Sequence, residues 1–177
     1  MTPTQIKKIL NDIELRPSKK LGQNFLTDGN ILDIIMKAVK VSAKDEVLEI
    51  GPGTGALTAE LLKTGAHITA VEYDHRLADY LKAEYQGNNK LKIIQGDACK
   101  MGWNELFLNH EFKCFGNLPY AISSIFISSL LEMENPPVEA VFMLQKEMAD
   151  RLVASCNTKE YSSLSVRLQK FYDIEVV

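Results

Sequence analysis

Cysteine is scarce in this 177-residue chain and poorly placed for its usual structural work. Cys99, Cys114 and Cys156 lie far apart with no CxxC pair, which argues against a disulfide framework or a cysteine-rich zinc site and predicts buried free thiols. His67, His75 and His110 show no HxxxH spacing and no acidic cluster, so no metal is expected. Long apolar runs are missing too. No stretch approaches membrane-spanning length, and the N-terminus is too polar for a secretory signal. The expectation is a cytoplasmic protein that engages no membrane.

Positive charge is also in short supply. The net charge of −3 argues by itself against a general nucleic-acid binder. Its distribution is uneven, however. Residues 1–20 carry Lys7, Lys8, Arg16, Lys19 and Lys20 against Asp12 and Glu14, whereas the rest of the chain is acidic. A basic arm on an acidic body suits a phosphate-facing strip, and it suits a solvated tail equally well.

What the chain has in quantity is apolar residues, 46% of the total, arranged in strand-length runs that alternate with helical patterns. "EVLEI" (46–50), "HITAVEY" (67–73), "LKIIQ" (91–95), "FKCF" (112–115) and "VEAVFML" (138–144) predict strands, and their near-continuous Val, Ile and Leu suit a parallel sheet buried on both faces. Between them Ile31/Ile34/Ile35/Ala38, Leu77/Leu81/Tyr85, Ile122/Ile125/Phe126/Leu130/Met133 and Leu164/Leu168/Phe171 recur at helical spacing. The alternation predicts a doubly wound α/β sheet. "NPP" (135–137) and "CNTKEYSS" (156–163) suit loops, the second long and polar enough to be mobile. "FYDIEVV" (171–177) has the composition of a sixth strand cut short, which predicts a fragment whose sheet is incomplete.

The first strand runs into Gly51-Pro52-Gly53-Thr54-Gly55 and then the helical "ALTAELL". Ligands of open parallel sheets sit at the carboxyl ends of the strands, where a glycine turn lets backbone approach them closely. A Cβ at Gly51 or Gly53 would stand in that space. No Lys-Ser/Thr follows, so the turn is not a P-loop. The next strand delivers Glu72, 21 residues after Gly51, as an acceptor for both hydroxyls of a ribose. NAD and S-adenosylmethionine fit this pair equally, because both present an adenosine ribose. A tight turn beside a surface acid is the plainer alternative. Asp97, in "QGDA", reaches the same rim as an acceptor for an adenine amine, or as a helix N-cap.

"FGNLPY" (115–120) ends the fourth strand. Asn117 brings an amide oxygen, and the rigid Pro119 holds backbone carbonyls, beside the expected cofactor. Such acceptors suit an exocyclic NH2 whose lone pair is delocalised into a purine ring. Gripping its hydrogens draws the nitrogen toward tetrahedral geometry and aims the lone pair at a methyl group. Tyr120 offers an aromatic face for an unstacked base. Taken alone, "NLPY" is equally a turn with a core tyrosine.

Six collinear stretches, "LGQNFLTD" (21–28), "EIGPGTGALT" (49–58), "VEYD" (71–74), "QGDA" (95–98), "FGNLPYAISS" (115–124) and "FMLQKEMADRLVA" (142–154), resemble the ribosomal RNA adenine dimethyltransferase family over about residues 16–177. The similarity is greatest to the branch that dimethylates two adjacent adenosines near the 3′ end of small-subunit (16S) rRNA. The resemblance implies a Rossmann-like, S-adenosylmethionine-dependent methyltransferase sheet with helices on both faces. It implies a small-subunit rRNA substrate within a pre-ribosomal particle and a monomeric enzyme. Asn24, Leu26, Gly51, Gly53, Glu72, Asp97 and Asn117 would hold the cofactor. Asn117, Leu118, Pro119 and Tyr120 would act on the target amine, with Tyr120 and Phe142 sandwiching the base. Phe142 is equally placed to be a core aromatic. Arg16, Lys19, Lys20, Lys146, Arg151 and Lys159 become candidates for phosphate contacts.

The resemblance divides the chain into a basic arm with a cofactor-contacting motif (1–27) and a methyltransferase domain (28–177). It also implies a sheet-completing segment and a small helical, rRNA-gripping domain beyond the present sequence. Cofactor binding is therefore expected of this chain more than methyl transfer. The macrolide-resistance branch, which methylates large-subunit rRNA, is the near alternative, but Leu118 and "LQKE" (144–147) favour the small-subunit branch. A DNA adenine methyltransferase shares the chemistry without the full motif set. An NAD-dependent dehydrogenase leaves "NLPY" unused, and a non-catalytic RNA-binding assembly factor would keep RNA affinity without Asn117.

Overall fold

The computed structural model describes residues 1–17, 24–103, 107 and 110–177. Five parallel strands form one sheet: β1 (Glu46–Ile50), β2 (His67–Glu72), β3 (Leu91–Gln95), β4 (Phe112–Asn117) and β5 (Glu139–Met143), in the order β3-β2-β1-β4-β5. The chain winds outward from β1 in both directions, so the carboxyl ends of β1 and β4 flank the point where the winding reverses. Register there sets Ile50 opposite Val71 on one side and Gly116 on the other.

The helices described are α1 (Pro3–Asp12), α2 (Gly29–Ala38), α3 (Ala56–Lys63), α4 (His75–Glu84), α5 (Tyr120–Leu130), α6 (Lys146–Val153) and α7 (Ser163–Gln169). Side chains of a strand alternate between faces, and β1 shows this plainly. Leu48 and Ile50 join Cys114, Phe126, Leu130, Met148 and Leu152 in one core layer. Val47 joins Ile68, Phe115, Leu32, Ile35 and Leu61 in the other. Trp103 is buried in the first layer, its ring edge-on to Phe126 at 5.9 Å and its Nε1 donating to the Ala98 carbonyl at 3.1 Å.

The structure departs from the sequence expectations in three places. Residues 1–17 do not form a simple tail: Thr2 and Gln5 make a reciprocal capping box for α1, and Ile6, Leu10 and Leu15 are buried against Leu77 of α4. The expected strand over 171–177 is irregular here. Tyr172 and Ile174 pack on the first core layer instead, and Tyr172 donates its hydroxyl to the Pro137 carbonyl at 2.8 Å. A strand needs a ladder partner as well as suitable residues, and none is formed. Among the thiols Cys114 is buried, but Cys156 is exposed and Cys99 half-buried. Among the described residues, no helix is long and apolar enough to cross a membrane, and no three His, Cys, Asp or Glu side chains gather as metal ligands.

Candidate active site

A largely apolar cavity of about 280 Å³ opens at the carboxyl ends of β1, β2, β3 and β4. Gly51 and Gly53 line it after β1, Glu72 and Asp97 on the β2/β3 side, and Asn117 and Pro119 on the β4 side, together with Asn24. Seven residues predicted from sequence, spread over 96 positions of the chain, thus meet around one space.

The glycine turn is a cradle made by backbone. Gly51 (φ +66°) and Gly53 (φ +60°) both occupy the left-handed region, and the Gly51 N–H donates to the Val71 carbonyl at 2.9 Å. A Cβ at Gly53 would come within 3.2 Å of the Phe25 ring. Glu72 is 6% exposed, and its carboxylate accepts from the Gly53 N–H at 3.0 Å and the Asp74 N–H at 2.9 Å. Burial raises its pKa above the ordinary carboxylate value, and those two hydrogen bonds pull it part of the way back. Each oxygen keeps a lone pair for a ligand. Asp97 lines the cavity; its Oδ1 accepts from the Cys99 N–H at 3.0 Å within a turn rather than at the start of a helix, and Lys100 pairs with Oδ2 at 3.3 Å.

Asn117 closes β4. Its Nδ2 donates to the Asn24 carbonyl at 2.6 Å, and among the described residues no donor is paired with its Oδ1. Pro119 starts α5, and its carbonyl accepts from the N–H groups of Ile122 and Ser123, both at 3.1 Å. Of the two backbone carbonyls named from sequence, Leu118's is therefore the one outside the helix's hydrogen bonding. The Leu118 side chain itself is buried in the first core layer. Tyr120, 60% exposed, stands beside the cavity residues Ala121 and Ile122. Leu26 packs on the second core layer and does not line the cavity. Phe142 does not line it either: its ring meets Phe126 edge-on at 6.0 Å, a core contact, although its backbone lies in register with Gly116. Arg16, Lys146, Arg151 and Lys159 are exposed, with Lys146 paired to Asp150 at 2.7 Å; Lys19 and Lys20 lie outside the described residues.

Sequence reasoning missed Phe25, Tyr73 and Ile122 in the walls, and a buried acid beneath them. Glu49 is 1% exposed, and Thr58 of α3 donates its hydroxyl to Oε2 at 2.7 Å. An acid in the middle of the buried run "EVLEI" was the available signal. Burial pushes its pKa up to about 7; the nearby Glu72 charge adds to the rise, and the Thr58 hydroxyl opposes it. In the unfolded chain the same group titrates near 4.5. The folded state therefore holds the proton more tightly. Its stabilising contribution is full below pH 4.5 and is lost as pH rises to about 7. Glu49→Gln escapes that loss while keeping an acceptor for Thr58. At about pH 8 the variant is expected to be more stable than the unaltered chain by on the order of 2–3 kcal/mol. The two curves should converge below about pH 5, as read by urea unfolding at several pH values; parallel curves would show that Glu49 does not titrate in this way.

The sheet order, the glycine turn and the acid ending the neighbouring strand define a Rossmann-like domain with a site shaped for an adenosine-bearing cofactor. A sequence profile described as "Ribosomal RNA adenine dimethylase" matches residues 5–177. The chain belongs to the ribosomal RNA adenine dimethylase family. It is 39% identical over 172 residues to "Ribosomal RNA small subunit methyltransferase A" of Clostridium botulinum (strain Loch Maree / Type A3), covering 97% of this chain and 62% of the relative. It is 40% identical over 174 residues to the protein of that name from Prosthecochloris aestuarii, covering 98% and 64%. The chain thus spans somewhat under two thirds of these curated relatives. A dimethyladenosine transferase from Plasmodium falciparum superposes with a TM-score of 0.73 at 36% identity, over 82% of this chain and 52% of that one. The 23S rRNA methyltransferase ErmE superposes at 0.65 and 28% identity, over 81% and 56%.

Proposed function

We propose that this chain binds S-adenosylmethionine in the cavity above β1 and carries the catalytic centre for methyl transfer to N6 of adenosine. Its substrate is two adjacent adenosines near the 3′ end of small-subunit rRNA, met in a pre-ribosomal particle in the cytoplasm by a monomer. The observation that carries this reading is the convergence of Glu72 and Asn117 on one apolar cavity from strands on either side of β1. A dehydrogenase would use the first and leave the second without work. When bound, S-adenosylmethionine supplies an electrophilic methyl group on a sulfonium and leaves as a neutral thioether.

The remaining contributions belong to the chain's own residues. Glu72 accepts the ribose hydroxyls, Gly51 and Gly53 keep the approach clear, and Asp97 meets the adenine amine. Asn117 Oδ1 and the Leu118 carbonyl each accept one hydrogen of the target amine, and Tyr120 stacks on its base. Asn24 and Phe25, from the arm of residues 1–27, flank the cofactor. Arg16, Arg151 and Lys159 offer charge to the phosphates. The small-subunit reading is preferred to the large-subunit one because the relatives of 39–40% identity carry the small-subunit name.

Thermal melting tests the cofactor. S-adenosylhomocysteine should raise the Tm by several degrees at saturation, and NAD should leave it unchanged. Transfer of labelled methyl groups to immature small-subunit particles tests the reaction. Stabilisation by NAD alone would replace this reading with a dehydrogenase.

A further inference from the structure

The reacting amide has a partner 93 residues away in the chain. An asparagine amide turned by half a rotation presents NH2 where it had presented oxygen, and the torsion about its planar amide is broad and roughly two-fold, so neither orientation is strongly preferred by the side chain itself. Only one of them offers an acceptor to a target amine. The Asn24 carbonyl can accept and cannot donate. At 2.6 Å it selects the orientation that puts Nδ2 toward the arm and leaves Oδ1 for the substrate.

The backbone at Asn24 is in turn anchored through its neighbour Phe25. Phe25 lines the cavity against Gly53 and packs on the cluster of Ile6, Leu10, Leu15 and Leu77. Arg76 donates from Nη1 to the Glu14 carbonyl at 3.2 Å and pairs through Nη2 with Asp74 at 3.3 Å, which clasps the end of α1 to the start of α4. Asp74 also donates its N–H to Glu72. The same docked arm therefore touches the supports of both site residues that the proposed function depends on.

We infer that α1 is a positioning element: by docking its Ile6/Leu10 face on α4 it holds the Asn24 carbonyl where it orients the Asn117 amide for transfer. This rests on the methyltransferase reading above. It differs from a phosphate-binding role for the arm, which would use the exposed Lys7 and Lys8 on the other side of the same helix. A neutral hydrogen bond of ordinary strength biases the amide roughly 3- to 10-fold toward the competent orientation; without it the two orientations are equally populated, so the competent fraction, and kcat with it, falls by at most about 2-fold.

The test compares Ile6→Ala/Leu10→Ala with Lys7→Ala/Lys8→Ala in protein labelled with both 15N and 13C, following the Asn117 side-chain amide by NMR. The resonance pair is assigned by its loss in Asn117→Ala. In the unaltered chain, coupling through the hydrogen bond from the Asn117 nitrogen to the Asn24 carbonyl carbon should be measurable, which needs no variant to fold. The apolar double variant should abolish that coupling, move the pair toward the position of solvent-exposed asparagines, and lower kcat by up to about 2-fold with KM for RNA little changed. Ile6→Val/Leu10→Met should restore all three. The lysine variant should leave the resonance in place. An absent coupling in the unaltered chain, or a resonance that ignores the Ile6/Leu10 change in a folded variant, would overturn the inference. Failure of the unaltered chain to bind S-adenosylhomocysteine, with the resonance behaving as described, would instead overturn the reading on which it rests.

Discussion

Glu72→Ala should weaken S-adenosylmethionine binding by roughly 100- to 1,000-fold, measured by titration calorimetry. The estimate follows from what the carboxylate has left to give. Two of its four lone-pair positions are taken by the Gly53 and Asp74 N–H groups, and two remain for two ribose hydroxyls. Hydrogen bonds to a charged acceptor are each worth about 1.5–3 kcal/mol. Part of the loss is recovered because water reaches the opened space. Glu72→Gln keeps the shape and one acceptor and should fall between the two. The raised pKa adds a pH signature. Affinity should weaken on acidification as Glu72 takes up its proton, starting above the ordinary carboxylate range, and Glu72→Ala should lack that dependence. Binding that survives Glu72→Ala unchanged would move the cofactor out of this cavity.

Asn117→Ala should do the opposite. Methyl transfer should fall about 100- to 1,000-fold in kcat, the scale seen when a single preorganised hydrogen-bonding group is removed from a reacting centre. Cofactor affinity should change by no more than about tenfold, the worth of one hydrogen bond to a neutral group. Asn117→Asp is the sharper variant. It retains an acceptor for the target amine but offers nothing to donate to the Asn24 carbonyl, and its charge repels that oxygen at the observed 2.6 Å. Its rate should stay close to that of Asn117→Ala. Single-turnover transfer with saturating cofactor separates the two steps. A variant that lost binding and kept the rate of bound complexes would reassign Asn117 to the cofactor alone.

Strand positions were legible because the buried runs are continuous in Val, Ile and Leu, as parallel strands covered on both faces require. The ends of β4 and β5 shifted by one or two residues, because strand ends depend on ladder partners. The site was legible as far as backbone chemistry dictates residue type. Glycines at positive φ and an acid closing the neighbouring strand each leave a mark at fixed spacing. Phe25, Tyr73 and Ile122 leave none, since an apolar wall residue looks like any core residue until the fold brings it to the cavity. The docking of α1 was hidden for another reason. Ile6, Leu10 and Ile13 have helical spacing, but the surrounding lysines drew attention to the exposed face, and the Arg76–Glu14 clasp joins positions 62 residues apart. Phe142 shows the limit of motif reasoning: its strand runs beside Asn117's, yet its ring is spent on Phe126.

The chain's single tryptophan has a practical consequence. Trp103 is bonded through its indole nitrogen to Ala98, whose neighbour Asp97 faces the cavity and which itself lines it. The indole is shielded from water yet only one peptide carbonyl away from the cofactor wall. Each molecule thus carries one optical reporter placed where ligand and fold can be followed together. Emission that shifts when the cavity fills, while the denaturation midpoint of the same signal moves in step, would read occupancy and folding from one natural chromophore without any attached label.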